Sequence, residues 1–159
     1  MIASKIMVEQ PQTCMIDEPV GAVFRRMRSL SLRMLPVVDA GGVVQGVLST
    51  FSVLGHIVPD YIVSGDLNAI PYAPDIGLLH KHHATVSAQL VAEIMQTECL
   101  TVGPQESLLS VAAALIAFGK HEYALVVEKD GCLLGIISAG DILDELSRIG
   151  EDGLQGSDA

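Results

Sequence analysis

Near the end of the 159-residue chain, the stretch GIISAGDIL (residues 135–143) places Ser138 three residues ahead of Asp141. That spacing admits two chemistries. A serine followed three residues later by an acidic side chain can close a capping box, in which each side chain bonds the other residue's backbone N–H and a helix begins. A hydroxyl and a carboxylate at one helix start can also be half of a ligand site. On the segment alone, capping is the more economical reading.

Other chemistry-bearing residues are sparse. His80, His82 and His83 stand in HKHH, but no cysteine or acidic residue lies close in sequence. A solvated polar turn is expected there, and no metal site. Cys14, Cys99 and Cys132 are odd in number and lack a C-x-x-C spacing, so neither a disulfide framework nor a zinc site is expected, and a reducing cytoplasm is the default. The chain has no nucleophile elbow, no P-loop, no helically spaced carboxylate pair and no Cys-His arrangement, so it does not read as an enzyme.

Charge and hydropathy narrow the partners. The net charge is −10 and the nine basic residues are scattered, which argues against a nucleic acid. The longest near-apolar run, Leu108 to Phe118, has 11 residues. That is well short of the ~20 a membrane helix requires, so no membrane partner is expected. MIASKIMVEQ has no long apolar stretch resembling a signal peptide, and a cytoplasmic protein is expected. Half of the residues are apolar and tryptophan is absent, so the core of a globular chain must come from Val, Ile, Leu, Ala and Met.

The elements that must position these residues occur twice. SKIM (residues 4–7) falls on AEIM (92–95), Thr13 on Thr101, Glu18 on Glu106 and Val23 on Val111. After a one-residue insertion near Lys120, LPVVDAGGVVQGVLSTFSVL (35–54) lies on ALVVEKDGCLLGIISAGDIL (124–143). Gly42 then meets Gly131, Gly46 meets Gly135, and Ser49 meets Ser138. Internal repetition of this kind defines the folding unit.

Each copy predicts β-α-β-β-α. Val20, Val23, Phe24 and Met27 share one helical face behind Pro19, which is placed where the first helical turn begins. Leu108, Val111, Ala112 and Leu115 repeat that face, and Leu109, Ala113 and Ile116 add apolar residues on a neighbouring side. A helix apolar over so wide an arc is expected to pack against something further, such as a second subunit. Short β-branched runs around Asp39–Gly42 and Glu128–Gly131 predict hairpins. A unit of roughly 50 residues buries too little surface alone, so the two copies are expected to pack sheet to sheet as one pseudo-two-fold α+β assembly with clefts between them.

The expected organisation is a first repeat over 1–57, a linker over 58–89, a second repeat over 90–149 and a flexible acidic tail over 150–159. The linker carries Ile62, Leu67, Ile70 and Ile76, which predict short packed helical turns.

With these features, LPVVDAGG and GVLS in the first copy and VVEKDGCLLGIISAGDIL in the second, the chain resembles a tandem of cystathionine-β-synthase (CBS) domains, a Bateman module. The resemblance implies regulatory adenine-nucleotide binding in the clefts, with AMP, ADP or ATP foremost and S-adenosylmethionine, an NAD-type dinucleotide or cyclic di-AMP as other ligands of the family. It implies that Ser138 directs a hydroxyl toward phosphate and Asp141 a carboxylate toward ribose hydroxyls. A carboxylate can accept from both hydroxyls of a diol, and a serine at a helix N-terminus suits an anion. Thr101, Val102, Tyr123, Ala124 and Leu125 would then wall the adenine.

The first copy departs from the family pattern. Ser49 is present, but Ser52 stands where the aspartate would be. A weak, unused or differently adapted first cleft is expected, and one nucleotide per chain. Arg33 occupies a position where the family often carries a basic residue that reaches phosphate, with a solvated surface charge as the equal alternative. His121 sits at a similar place in the second copy. Glu122, the counterpart of Arg33, would repel a highly charged ligand such as ATP. The implied protein is a stand-alone homodimeric sensor that signals to a protein target in trans. The alternative is a ligand-free dimerisation or interaction module.

Overall fold

The structure is a computed structural model that describes residues 1–65 and 76–155. In chain order the elements are a 3-10 turn (Ala3–Lys5), β1 (Val8–Glu9), β2 (Cys14–Met15), α1 (Val20–Ser29), β3 (Met34–Val38), β4 (Val44–Ser49) and α2 (Thr50–Ile57). There follow α3 (Asp60–Val63), α4 (Ile76–Ala88), α5 (Val91–Ile94), β5 (Thr101–Val102), α6 (Leu108–Phe118), β6 (Tyr123–Val127), β7 (Leu133–Ser138) and α7 (Ala139–Gln155). Both repeats realise the β-α-β-β-α order: β2-α1-β3-β4-α2 and β5-α6-β6-β7-α7. The fold is mixed α+β, as the sequence implies.

The chain forms two compact units, and they are not simply the two sequence repeats. The first unit comprises Gln12–Ala40 and Gln45–Glu98; the second comprises Met1–Pro11, Gly41–Val44 and Cys99–Ala159. Each therefore combines the body of one repeat with the lead-in segment of the other.

In the first unit β2 pairs in parallel with β3 through Cys14↔Val37 and Met15↔Val38, and β4 lies on the other side of β3. The segment ahead of β5 continues this sheet, since Val47 and Gln96 exchange two backbone hydrogen bonds of 2.9 Å each. The core gathers Val20, Val23 and Met27 of α1 with Leu35, Val37 and Leu48 of the sheet. Val91 and Ile94, from the lead-in of the second repeat, are buried in the same core. Pro19 is the N-cap of α1 rather than its first helical residue, and its carbonyl accepts from Ala22 and Val23.

The second unit has the strand order β1-β7-β6-β5. β1 runs antiparallel to β7 through Val8↔Ile136 and Glu9↔Gly135, β7 antiparallel to β6, and β5 parallel to β6. Val111 and Leu115 of α6 and Ile142 of α7 pack on Val102, Ala124, Val126 and Ile137. Ala3, from the lead-in of the first repeat, is fully buried among them.

Matched glycines mark where the lead-in strands cross. A Cβ on Gly46 would collide with the carbonyl oxygen of Gln96, and one on Gly135 would lie 2.8 Å from the Val8 carbonyl and 2.7 Å from Met7 Sδ. Neither position has room for a side chain.

Three local expectations change. HKHH is helical rather than a turn, with His80, Lys81 and His83 solvent-exposed as expected. It lies in α4, which packs on α1 and α2, and half-buried His82 donates from Nδ1 to the Ile57 carbonyl at 2.9 Å, closing the end of α2. Helix α7 extends past residue 149 and runs through Gln155, with an Arg148–Glu145 pair at 2.6 Å in its middle. Residues 156–159 lie outside the described part. In the linker, Ile62 is half-buried in α3 while Ile76 is exposed at the start of α4. Leu67 and Ile70 lie outside the described residues.

Candidate functional site

The Ser138–Asp141 pair forms a complete capping box. Asp141 N–H donates to Ser138 Oγ at 3.0 Å, and Ser138 N–H donates to Asp141 Oδ2 at 2.7 Å. The carboxylate sits in the first turn of α7, where the helix dipole favours negative charge. The first repeat builds the same box without a charge: Ser52 N–H donates to Ser49 Oγ at 3.0 Å and Ser49 N–H to Ser52 Oγ at 3.1 Å. The Ser52 hydroxyl also donates to the Ser49 carbonyl at 2.8 Å, and both serines are buried. Helix starting is thus common to the two copies, while the carboxylate is confined to one.

A second correspondence frames these corners. The first N–H of α2, from Thr50, donates to the Arg33 carbonyl at 2.9 Å, and the first N–H of α7, from Ala139, donates to the Glu122 carbonyl at 2.9 Å. Arg33 and Ser49 are thereby adjacent in the first unit, beside an uncharged box. Glu122 and Ser138 are adjacent in the second, beside Asp141. The exposed side chains at the two corners have opposite charge.

Register sorts the residues expected around adenine. Thr101 pairs with Leu125, Tyr123 with Ser138, and paired residues share a sheet face. Thr101, Tyr123, Leu125 and Ser138 therefore occupy one face. Val102 and Ala124 point to the other face, into the core of the second unit. Leu125 is itself buried. His121 precedes β6, where its ring packs on Phe118 with centroids 5.7 Å apart. It lines a groove of about 410 Å³ with Lys120, Glu122, Ile116 and Ala139, next to the start of α7.

A larger groove of about 730 Å³ opens along the end of β5, lined by Thr101, Gly103, Glu106, Val127 and Lys129 among others. In the sequence Glu106 stands out only as the repeat match to Glu18. The signal that marks it is the change at the equivalent of Arg26, which is Ala114. Among the described residues no three His, Cys, Asp or Glu side chains gather as a metal site, and no helix is long and apolar enough to cross a membrane.

A twice-repeated β-α-β-β-α unit, each copy with a Ser-led helix start after its hairpin, defines a class of small paired domains. Comparison with known proteins gives the class its name. The CBS domain family model matches residues 3–59 and 91–148, and the chain belongs to the CBS domain family. Its fold is similar to that of CBSX2, a CBS-pair protein from Arabidopsis thaliana, with a TM-score of 0.75, 20% identity, and coverage of 94% of this chain and 96% of that one. CBSX2 in complex with AMP aligns with a TM-score of 0.71 at 19% identity over 94% and 98% of the two chains. A CBS domain-containing protein from Bacillus anthracis aligns with a TM-score of 0.72 at 17% identity over 93% and 94%. No curated protein shows a significant match.

Proposed function

We propose that this CBS-pair chain is a regulatory module, not a catalyst, that binds one adenine nucleotide through its second repeat and relays occupancy to a protein target in trans. The observation that carries this is the Asp141 carboxylate, held at the start of α7 by Ser138 N–H through Oδ2 in one repeat only. An ionised carboxylate has about four lone-pair sites, so the cap leaves acceptors for the two hydroxyls of a ribose. Support also comes from the likeness to CBSX2, which has been seen in complex with AMP. Glu122 beside Ser138 disfavours a triphosphate, so AMP is the preferred ligand over ATP. The module works as a homodimer through apolar helix faces of the second unit.

The test is isothermal titration of the purified chain with AMP, ADP, ATP, S-adenosylmethionine, NADH and cyclic di-AMP. One AMP binds per chain. Asp141→Ala weakens it at least ~tenfold, as expected for loss of hydrogen bonds to a charged group. Ser52→Ala leaves the affinity unchanged, although each substitution costs about 1 kcal/mol of capping. If no ligand gives heat and the melting temperature is constant across the panel, the chain is the ligand-free interaction module instead.

A further inference from the structure

The repeats differ at one corner in a way the nucleotide reading does not use. In the first repeat, Glu18 accepts from Met15 N–H through Oε2 at 2.8 Å. Arg26 closes on it from α1, with Nη1 2.8 Å from Glu18 Oε1 and Nη2 3.3 Å from Oε2. Nη2 also donates to the Thr13 carbonyl at 2.8 Å. One guanidinium thus joins a carboxylate and the carbonyl just ahead of β2.

The second repeat keeps the acceptors and lacks the cation. Glu106 replaces Glu18 and accepts from Gly103 N–H at 3.0 Å, Gly103 standing where Met15 does. Thr101 repeats Thr13, and Ala114 replaces Arg26. The Ser110 hydroxyl donates to Glu106 Oε2 at 3.2 Å, and among the described residues no cation pairs with Glu106. With one bond to each oxygen, the carboxylate retains about two acceptor positions. Leu125 N–H bonds the Leu100 carbonyl, and carbonyls alternate in direction along a strand, so the Thr101 carbonyl faces the outer edge of β5, the last strand of its sheet. Thr101 and Glu106 both line the 730 Å³ groove.

We propose that this corner of the second unit is a site for a guanidinium group supplied by another molecule, either a small guanidino compound or an arginine side chain of a partner protein. The first repeat displays the contacts such a group makes. A planar fork matches a carboxylate and a neighbouring carbonyl at once, whereas an ammonium is a hydrated point charge without that geometry. The net charge of −10 favours the approach of a cation.

The experiment follows the Gly103 and Ser110 amides by ¹⁵N NMR in the full chain, titrated at constant ionic strength. The probes are methylguanidinium chloride, methylammonium chloride and the peptide acetyl-Gly-Arg-Gly-amide. Methylguanidinium moves both amides saturably and methylammonium is at least ~tenfold weaker. Glu106→Gln weakens the response about tenfold. Ala114→Arg abolishes it by supplying the guanidinium within the chain, and raises the melting temperature by about 2–4 °C. A peptide at least ~tenfold tighter than methylguanidinium identifies a protein partner, and equal affinities identify a small compound. The site is overturned if the amides do not move, if methylammonium acts equally well, or if the response persists in Ala114→Arg. That last variant decides the matter should Glu106→Gln loosen the loop.

Discussion

At the residue scale, Arg26 ties α1 to the loop that follows β2, and its effect depends on pH. Its hydrogen bond holds the Glu18 carboxyl below the usual carboxylate range, aided by Met15 N–H and opposed by partial burial. A carboxyl whose folded pKa is depressed contributes stability that is present above its unfolded value, 4.5, and lost as pH falls through the lower folded value. Arg26→Met should cost about 1 kcal/mol at neutral pH. Urea denaturation of both proteins from pH 7 down to pH ~3 should show the difference shrink below pH ~4.5. A constant difference would mean that Arg26 acts through packing alone. Nearby, burial and the Glu18 charge push the Cys14 thiol up to about 12, against the opposing effect of Arg26, so this cysteine behaves as a small core residue rather than a nucleophile.

At the element scale, the lead-in strands govern stability out of proportion to their length. β1 has two residues and its counterpart at Gln96 is a single bridge, yet Ala3, Val91 and Ile94 beside them are buried. Gly46 and Gly135 let these strands approach. Gly46→Ala should cost about 2 kcal/mol or more, because the obstacle is the Gln96 backbone, which cannot rotate away. Gly135→Ala should cost less if the flexible Met7 side chain yields, although the Val8 carbonyl 2.8 Å away limits the relief. Chemical denaturation midpoints would rank the two, and equal wild-type stability in both would refute the close-approach argument. The paired glycines were legible as repeat markers. Their reason was not, since the atoms they accommodate lie about 50 residues away in one case and more than 100 in the other.

At the scale of the whole molecule, the neighbouring helices α6 and α7 carry apolar side chains turned outward. Leu109 and Ile116 on α6 are 81% and 85% exposed, and Leu143, Leu146 and Ile149 follow one another along α7. The sequence pattern of α6 already implies such a face, and the other described residues leave it uncovered. Under the homodimer proposal, Leu109→Glu with Ile116→Glu should shift the mass measured by light scattering from dimer to monomer. Helical circular dichroism should not change, because neither side chain contributes to the core. A wild-type monomer at high micromolar concentration would remove the homodimer from the proposal.

The amino-acid sequence by itself determined the duplication, the order of elements in each copy, the buried faces of α1 and α6, and the Ser-x-x-Asp helix start. These are local: periodicity, turn glycines and caps act within a few residues. Only the tertiary structure decided that each lead-in joins the body of the other repeat, that Val102 and Ala124 face the core while Thr101 and Tyr123 do not, and that Arg26 clamps Glu18 and the Thr13 carbonyl in the first repeat. The two lead-ins, SKIM and AEIM, are nearly alike, so nothing local says which sheet edge each will take. That choice rests on burying Ala3, Val91 and Ile94 against distant strands, an energy that exists only once the chain has folded.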